Sequence, residues 1–165
     1  MLSEPKTEFR PERPYLAIRK KVHMFDIPNA LPPLIPEVKQ WMDQRKIEPA
    51  GYDFFLYKSI DPQNELECEA GFPVARAVEG DEYVQAGAFP AGNYASLVYT
   101  GDFKYMMEAH KALESWIEAQ GLKEKRETIE GTACWGSRTE VYLVDPTLEP
   151  NPEKWQTEIV FQLED

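Results

Sequence analysis

Few side chains in this sequence have the type and spacing that chemistry needs. The two histidines, His23 and His110, and the two cysteines, Cys68 and Cys134, stand alone, without the close pairing that holds zinc. There is no Gly-rich phosphate loop, no CxxC, no HExxH and no serine in a nucleophile-elbow pattern. Neither a metal nor an organic cofactor is expected. His110 falls on the apolar side of a helical pattern and reads as a core or boundary histidine. What remains is a carboxylate among aromatics. In Thr139-Glu140-Val141-Tyr142-Leu143-Val144, Val141 and Leu143 share one strand face while Glu140, Tyr142 and Val144 share the other. Phe55 and Tyr57 share a face of their own strand in the same way. If Val141 and Leu143 pack under the helices, Glu140 sits beside Tyr142. A carboxylate in such surroundings is costly to ionise without a partner, so its pKa is expected to rise. A bound organic cation would restore the charged form, and the aromatic faces would attract the same cation through their quadrupoles. The alternative on the pattern alone is a solvated glutamate at a strand start, with aromatics that simply fill a core.

The elements that must position these groups can be read along the chain. It has 165 residues, with four Trp, eight Tyr and eight Phe, the size of one domain. Eighteen Lys and Arg stand against 29 Asp and Glu, a net charge of −11. Nucleic-acid binding needs clustered positive charge, so this balance argues against it. The cluster Arg19-Lys20-Lys21 is short and fits a solvated strand face. No run approaches the ~20 apolar residues that span a membrane, and the polar start has no export signal. A cytoplasmic protein with reduced, buried thiols is expected. Residues 1–13 read as a flexible leader and 14–165 as one ligand-binding domain. A strand is expected over 15–24 and a helix over 36–45, where Leu34, Val38, Trp41 and Met42 follow helical spacing. Extended segments follow at 52–60, 66–77 and 83–89. The order then restarts: a strand over 93–99, a helix to residue 120 capped by Asp102, and strands over 139–144 and 157–163. Strand-helix-strand-strand thus appears twice. This predicts an α+β fold: two such modules in a largely antiparallel sheet, with two helices and a ligand cleft at the module junction.

The segments Cys68-Glu69-Ala70-Gly71-Phe72-Pro73-Val74 and Phe89-Pro90-Ala91-Gly92-Asn93-Tyr94-Ala95 are typical of GyrI-like proteins. So are Tyr99-Thr100-Gly101-Asp102-Phe103, the helix ending in Trp116, and the tail from Thr139 through Trp155 to Ile159. In order and spacing together, over 14–163, the chain resembles that small-molecule-binding family. The resemblance implies a pair of strand-helix-strand-strand modules. It also implies effector binding, as in AraC-type and MerR-type multidrug regulators, where a buried glutamate among aromatics receives lipophilic cations. That glutamate matches Glu140, and aromatic lining positions match Trp155 and Tyr57. Tyr142 and Phe55 share the relevant faces, and Trp41 and Trp116 are further lining by position. The regulators' DNA-binding domain finds no counterpart in this sequence, so a stand-alone binder of lipophilic, mainly cationic aromatic molecules is expected, with no nucleic acid and no membrane as partner. Two alternatives come with the family. One is a hydrolase that opens the cyclopropane ring of DNA-alkylating natural products, with Glu140 directing water and Tyr57 or Tyr142 donating a proton. The other is a protein inhibitor of DNA gyrase.

Overall fold

The computed structural model describes residues 1–165. In chain order the elements are β1 (Lys6–Arg10), β2 (Arg13–His23), α1 (Ile27–Ala30), α2 (Leu34–Gln44), β3 (Phe54–Ile60) and β4 (Glu65–Pro73). They continue with β5 (Gln85–Phe89), β6 (Gly92–Thr100), α3 (Met106–Ala119), β7 (Arg126–Ile129), β8 (Thr132–Tyr142) and β9 (Gln156–Gln162). The two long helices are those the periodicity demands. Helix α2 buries Leu34, Val38, Trp41 and Met42, and α3 buries Ala109, Leu113 and Ile117. Asp102 caps a short 3-10 turn that leads into α3, accepting from the Lys104 N–H at 3.0 Å. Met107, in the first turn of α3, is exposed. A third helix, the single turn α1, was not expected.

All nine strands join one antiparallel sheet in the order β1-β6-β9-β8-β3-β4-β2-β5, with β7 added to β8. The two modules are β2-α2-β3-β4 and β6-α3-β8-β9. Each places its last strand between the other two, and they meet back to back at the β3–β8 ladder. The order is therefore pseudo-two-fold symmetric about that junction.

Two short links set the overall shape. Only Pro11 and Glu12 join β1 to β2, and only Pro90 and Ala91 join β5 to β6. Each link crosses six inter-strand steps in the sheet order. In a flat sheet that is about 29 Å, whereas three Cα steps reach about 11 Å at most. The sheet must curl until its edges come together at that end. Tyr15, Ala17, Phe54 and Leu56 are buried with Phe89 and Val141 on the inside of this curl, where no helix covers them. The outer face carries both helices. Leu16, Ile18, Phe55, Tyr57, Cys68 and Tyr142 pack under α2, and Leu97, Tyr99, Ile159 and Phe161 pack under α3.

The N-terminal expectation needs correction. Residues 6–10, read as part of a flexible leader, form β1 and pair with β6 from Lys6↔Ser96 to Arg10↔Gly92. No helix is long and apolar enough to cross a membrane. Both cysteines are free, Cys68 buried and Cys134 half-buried.

Candidate functional site

The β3–β8 ladder brings the carboxylate and the aromatics together. Its register pairs Phe55 with Glu140 and Tyr57 with Arg138, so all four side chains lie on the helix-covered face. Beyond Tyr57 the ladder shifts: Tyr57 faces Arg138, but Ser59 faces Cys134. Trp135, Gly136 and Ser137 bulge out of register there, and Trp135 folds back over the Arg138 guanidinium at 4.5 Å. Bulges end regular pairing and re-aim side chains, and this one lies beside Tyr57.

Glu140 is 6% exposed. Its carboxylate accepts from the Tyr57 O–H at 3.0 Å and from the Tyr142 O–H, both on Oε1. Its Oε2 meets His110 Nε2 at 2.7 Å. Burial alone would raise the Glu140 pKa. The His110 hydrogen bond and charge, with the two phenol hydrogen bonds, outweigh burial and hold it below the usual carboxylate range. This corrects the expectation of a raised pKa: the site supplies three donors of its own, so the carboxylate is ionised at neutral pH. Burial and the neighbouring Glu140 charge push both phenols well above the ordinary tyrosine value, so Tyr57 and Tyr142 keep their protons. Burial, then the Glu140 charge, also lifts the Cys68 thiol to about 12, which leaves it unreactive.

An aromatic wall continues from the carboxylate. Phe55 meets Tyr142 edge-on at 4.9 Å, Phe103 meets Tyr142 at 5.7 Å, and Phe103 lies against Trp155 at 4.5 Å. The Trp155 indole N–H donates to the Glu149 carbonyl at 2.8 Å, which fixes the ring. Trp41 belongs to the same apolar cluster as Phe55, Tyr57 and Tyr142, yet its own N–H is used by Asp81 at 2.8 Å and Arg45 covers its ring. Trp116 packs into the separate cluster under α3, away from this group. The structure thus gathers Glu140, Tyr57, Tyr142 and Phe55, extends them through Phe103 to Trp155, sets Trp41 at the cluster's α2 side and leaves Trp116 apart. His110 and Phe103 were missed as site residues. Their signal was present, since they stand seven residues, two helical turns, apart on the apolar pattern of α3 and its leading turn. No group of three or more His, Cys, Asp or Glu is placed to hold a metal ion.

A model of the GyrI-like small molecule binding domain matches residues 3–164. No curated protein matches the sequence. Among solved structures, EcmrR in complex with DNA is similar at 19% identity and a TM-score of 0.79 over 98% of this chain. The chain spans 57% of that protein's length. The EcmrR C-terminal domain alone is similar at 19% identity and a TM-score of 0.77, with 98% of each chain covered. SAV2435 bound to tetraphenylphosphonium is similar at 11% identity and 0.64, covering 98% of this chain and 94% of that one. A hydrolase from Listeria innocua is similar at 16% identity and 0.63, with 98% and 92% covered. At these identities the likeness is one of fold.

Proposed function

The chain belongs to the GyrI-like family of small-molecule-binding domains, and we propose that it binds lipophilic, mainly cationic aromatic molecules at Glu140. One observation carries the reading: an ionised carboxylate is buried at the module junction with no lysine or arginine on it. A buried charge is costly unless paired. Glu140 has phenols and an imidazole instead, and Arg138, two residues along the same face, is taken by Glu124 and Glu114. An organic cation would complete the pairing, and Phe55, Tyr57, Tyr142 and Trp155 would line it, with Trp41 at the α2 side. The fold likeness to SAV2435, which binds tetraphenylphosphonium, supports the choice of ligand class. The buried side chains must part to admit a ligand of that size.

The test is a titration with tetraphenylphosphonium and with neutral triphenylphosphine oxide. A hydrogen-bonded charge contact is worth about 1.5–3 kcal/mol, so Glu140→Gln should weaken the cation roughly 10- to 150-fold and leave the neutral compound nearly unchanged. Trp155→Ala removes an aromatic face worth about 0.5–1.5 kcal/mol and should weaken both. Equal losses for cation and neutral compound in Glu140→Gln would refute the electrostatic account.

A second reading is favoured by the 2.7 Å contact of His110 with Glu140 beside two protonated phenols, an acid–base set. In a hydrolase that opens cyclopropane rings, Glu140 would take a proton from the water that attacks the ring carbon, and Tyr57 or Tyr142 would give a proton to the atom that receives the electrons of the broken C–C bond. Incubation with such a substrate would yield a product heavier by one water; unchanged mass leaves the binder.

A further inference from the structure

The two oxygens of Glu140 are not equivalent. Tyr57 and Tyr142 both donate to Oε1, whereas Oε2 has His110. The His110 side chain is 13% exposed against 9% for that of Glu140, so it forms the outer side of the contact. Its ring reaches from the helix of the second module to the strand at the junction, with Phe161 of β9 at 5.5 Å and Tyr57 of β3 at 6.3 Å. Ionisable groups around it are few. Glu140 and Tyr57 face it directly, and Cys68 of β4 lies behind Tyr57 with its proton held. Arg138 of β8 stacks over the Phe161 ring at 4.0 Å and is neutralised by Glu124 and by Glu114, which stands one turn further along α3. His110 is the one residue at the carboxylate that can carry a positive charge.

We propose that His110 is an internal cation that holds the ligand's place on Glu140, and that cationic ligands bind by displacing it. This inference rests on the reading of Glu140 as the ligand's counter-charge. The competition has a definite sign. Histidine gains its charge over about pH 5–8, a window in which Glu140 stays ionised. A protonated ring would hold Oε2 through a charge-assisted bond, so that the ligand must expel an ion, whereas a neutral ring yields the position more readily. Affinity for a cation therefore rises with pH, by up to about tenfold per pH unit where each ligand bound releases one proton. A neutral aromatic ligand gains nothing from this exchange, and its affinity stays level.

The experiment is calorimetric titration of tetraphenylphosphonium and triphenylphosphine oxide between about pH 5.5 and 8, on the wild type and on His110→Gln and Glu140→Gln. Glutamine keeps a neutral N–H for Oε2 but does not titrate. The wild type should bind the cation more tightly as pH rises, with a heat that depends on the buffer because a proton is released. His110→Gln should lose this slope and, at the lowest pH, bind the cation more tightly than the wild type, the direction linkage requires once no proton competes for Glu140. A wild-type slope retained in His110→Gln, or weaker cation binding by it at low pH, overturns the role of His110 while a Glu140-dependent affinity keeps the pocket. A wild type that binds no cation at any pH removes the pocket and this inference together. Should the variant fold poorly, the wild type answers alone. It has two histidines, and saturation with tetraphenylphosphonium at the acid end of the pH series should move the His110 ring resonances toward those of a neutral imidazole and leave those of His23 in place. Unmoved His110 resonances in a saturated sample overturn the displacement.

Discussion

Glu140 contributes stability as well as a charge. Its folded-state pKa lies below the ordinary value of 4.5. A depressed carboxylate stabilises the fold above its unfolded pKa, and that contribution disappears as pH falls through the folded value. Glu140→Gln should therefore destabilise the protein by about 1–3 kcal/mol at neutral pH, the value of charged hydrogen bonds left without their acceptor. The gap to the wild type should close as pH drops through and below the ordinary carboxylate range. Urea unfolding of both proteins at a series of pH values checks this, and a gap that stays constant into acid would mean the charge contributes nothing. The same residue marks how far sequence reading reaches. Strand alternation places Glu140, Tyr142, Phe55 and Tyr57 on shared faces because a period of two is a local rule. His110 is 30 residues from Glu140 on another element, and its helical pattern says only that it faces inward. The missed partner is also why the expected pKa shift had the wrong sign.

At the scale of elements, the legible ones were those with an apolar stripe. Helices α2 and α3 and strands β2, β3, β4, β6 and β9 each bury enough hydrophobic side chains to show a period. β1 and β7 do not: every residue of β7 is exposed, and β1 carries one large apolar side chain, the exposed Phe9. Such strands are held by the backbone ladder, to which any sequence without proline contributes. The β7–β8 turn was hidden for a related reason. Glu130 and Gly131 both take positive φ, 51° and 82°, as in a two-residue hairpin, but Glu-Gly is a weaker signal than Asn-Gly. What ties these elements to the site is Arg138. Its guanidinium makes two hydrogen bonds to Glu124, at 3.0 and 2.6 Å, reaches Glu114 of α3 at 3.0 Å and lies between the rings of Trp135 and Phe161. The Glu124 side chain is itself only 8% exposed. Arg138→Met should therefore cost about 3–5 kcal/mol, the effect of stranding one member of a buried pair. Arg138→Met combined with Glu124→Gln should recover much of that loss in urea unfolding. A double variant as unstable as the single one would assign the effect to packing against the rings instead.

At the scale of the whole molecule, the repeated strand-helix-strand-strand order was legible and the curl was not. Order follows from local periods. The curl follows from which strands pair at long range, and it becomes compulsory only once β5 and β1 are known to lie at opposite ends of the sheet. Pro11-Glu12 and Pro90-Ala91 then leave no room for a flat sheet. This geometry gives β1 a task that its composition conceals. It covers the outer edge of β6 over five residue pairs, and Arg10 bridges to Glu158 on the inner face at 3.1 Å. Removal of residues 1–10 would bare a row of backbone donors and acceptors on β6, a template for pairing with a second copy. The truncated protein should therefore self-associate in light scattering and melt lower. Its site should survive in whatever monomer remains, because β1 lies three strands from β8 and touches neither Glu140 nor its partners. Cation binding per chain should then stay within a few-fold of the full-length value. If cation binding collapses while the truncated chain remains folded and monomeric, the junction depends on closure of the whole curl, and β1 is part of the binding machinery rather than an edge cover.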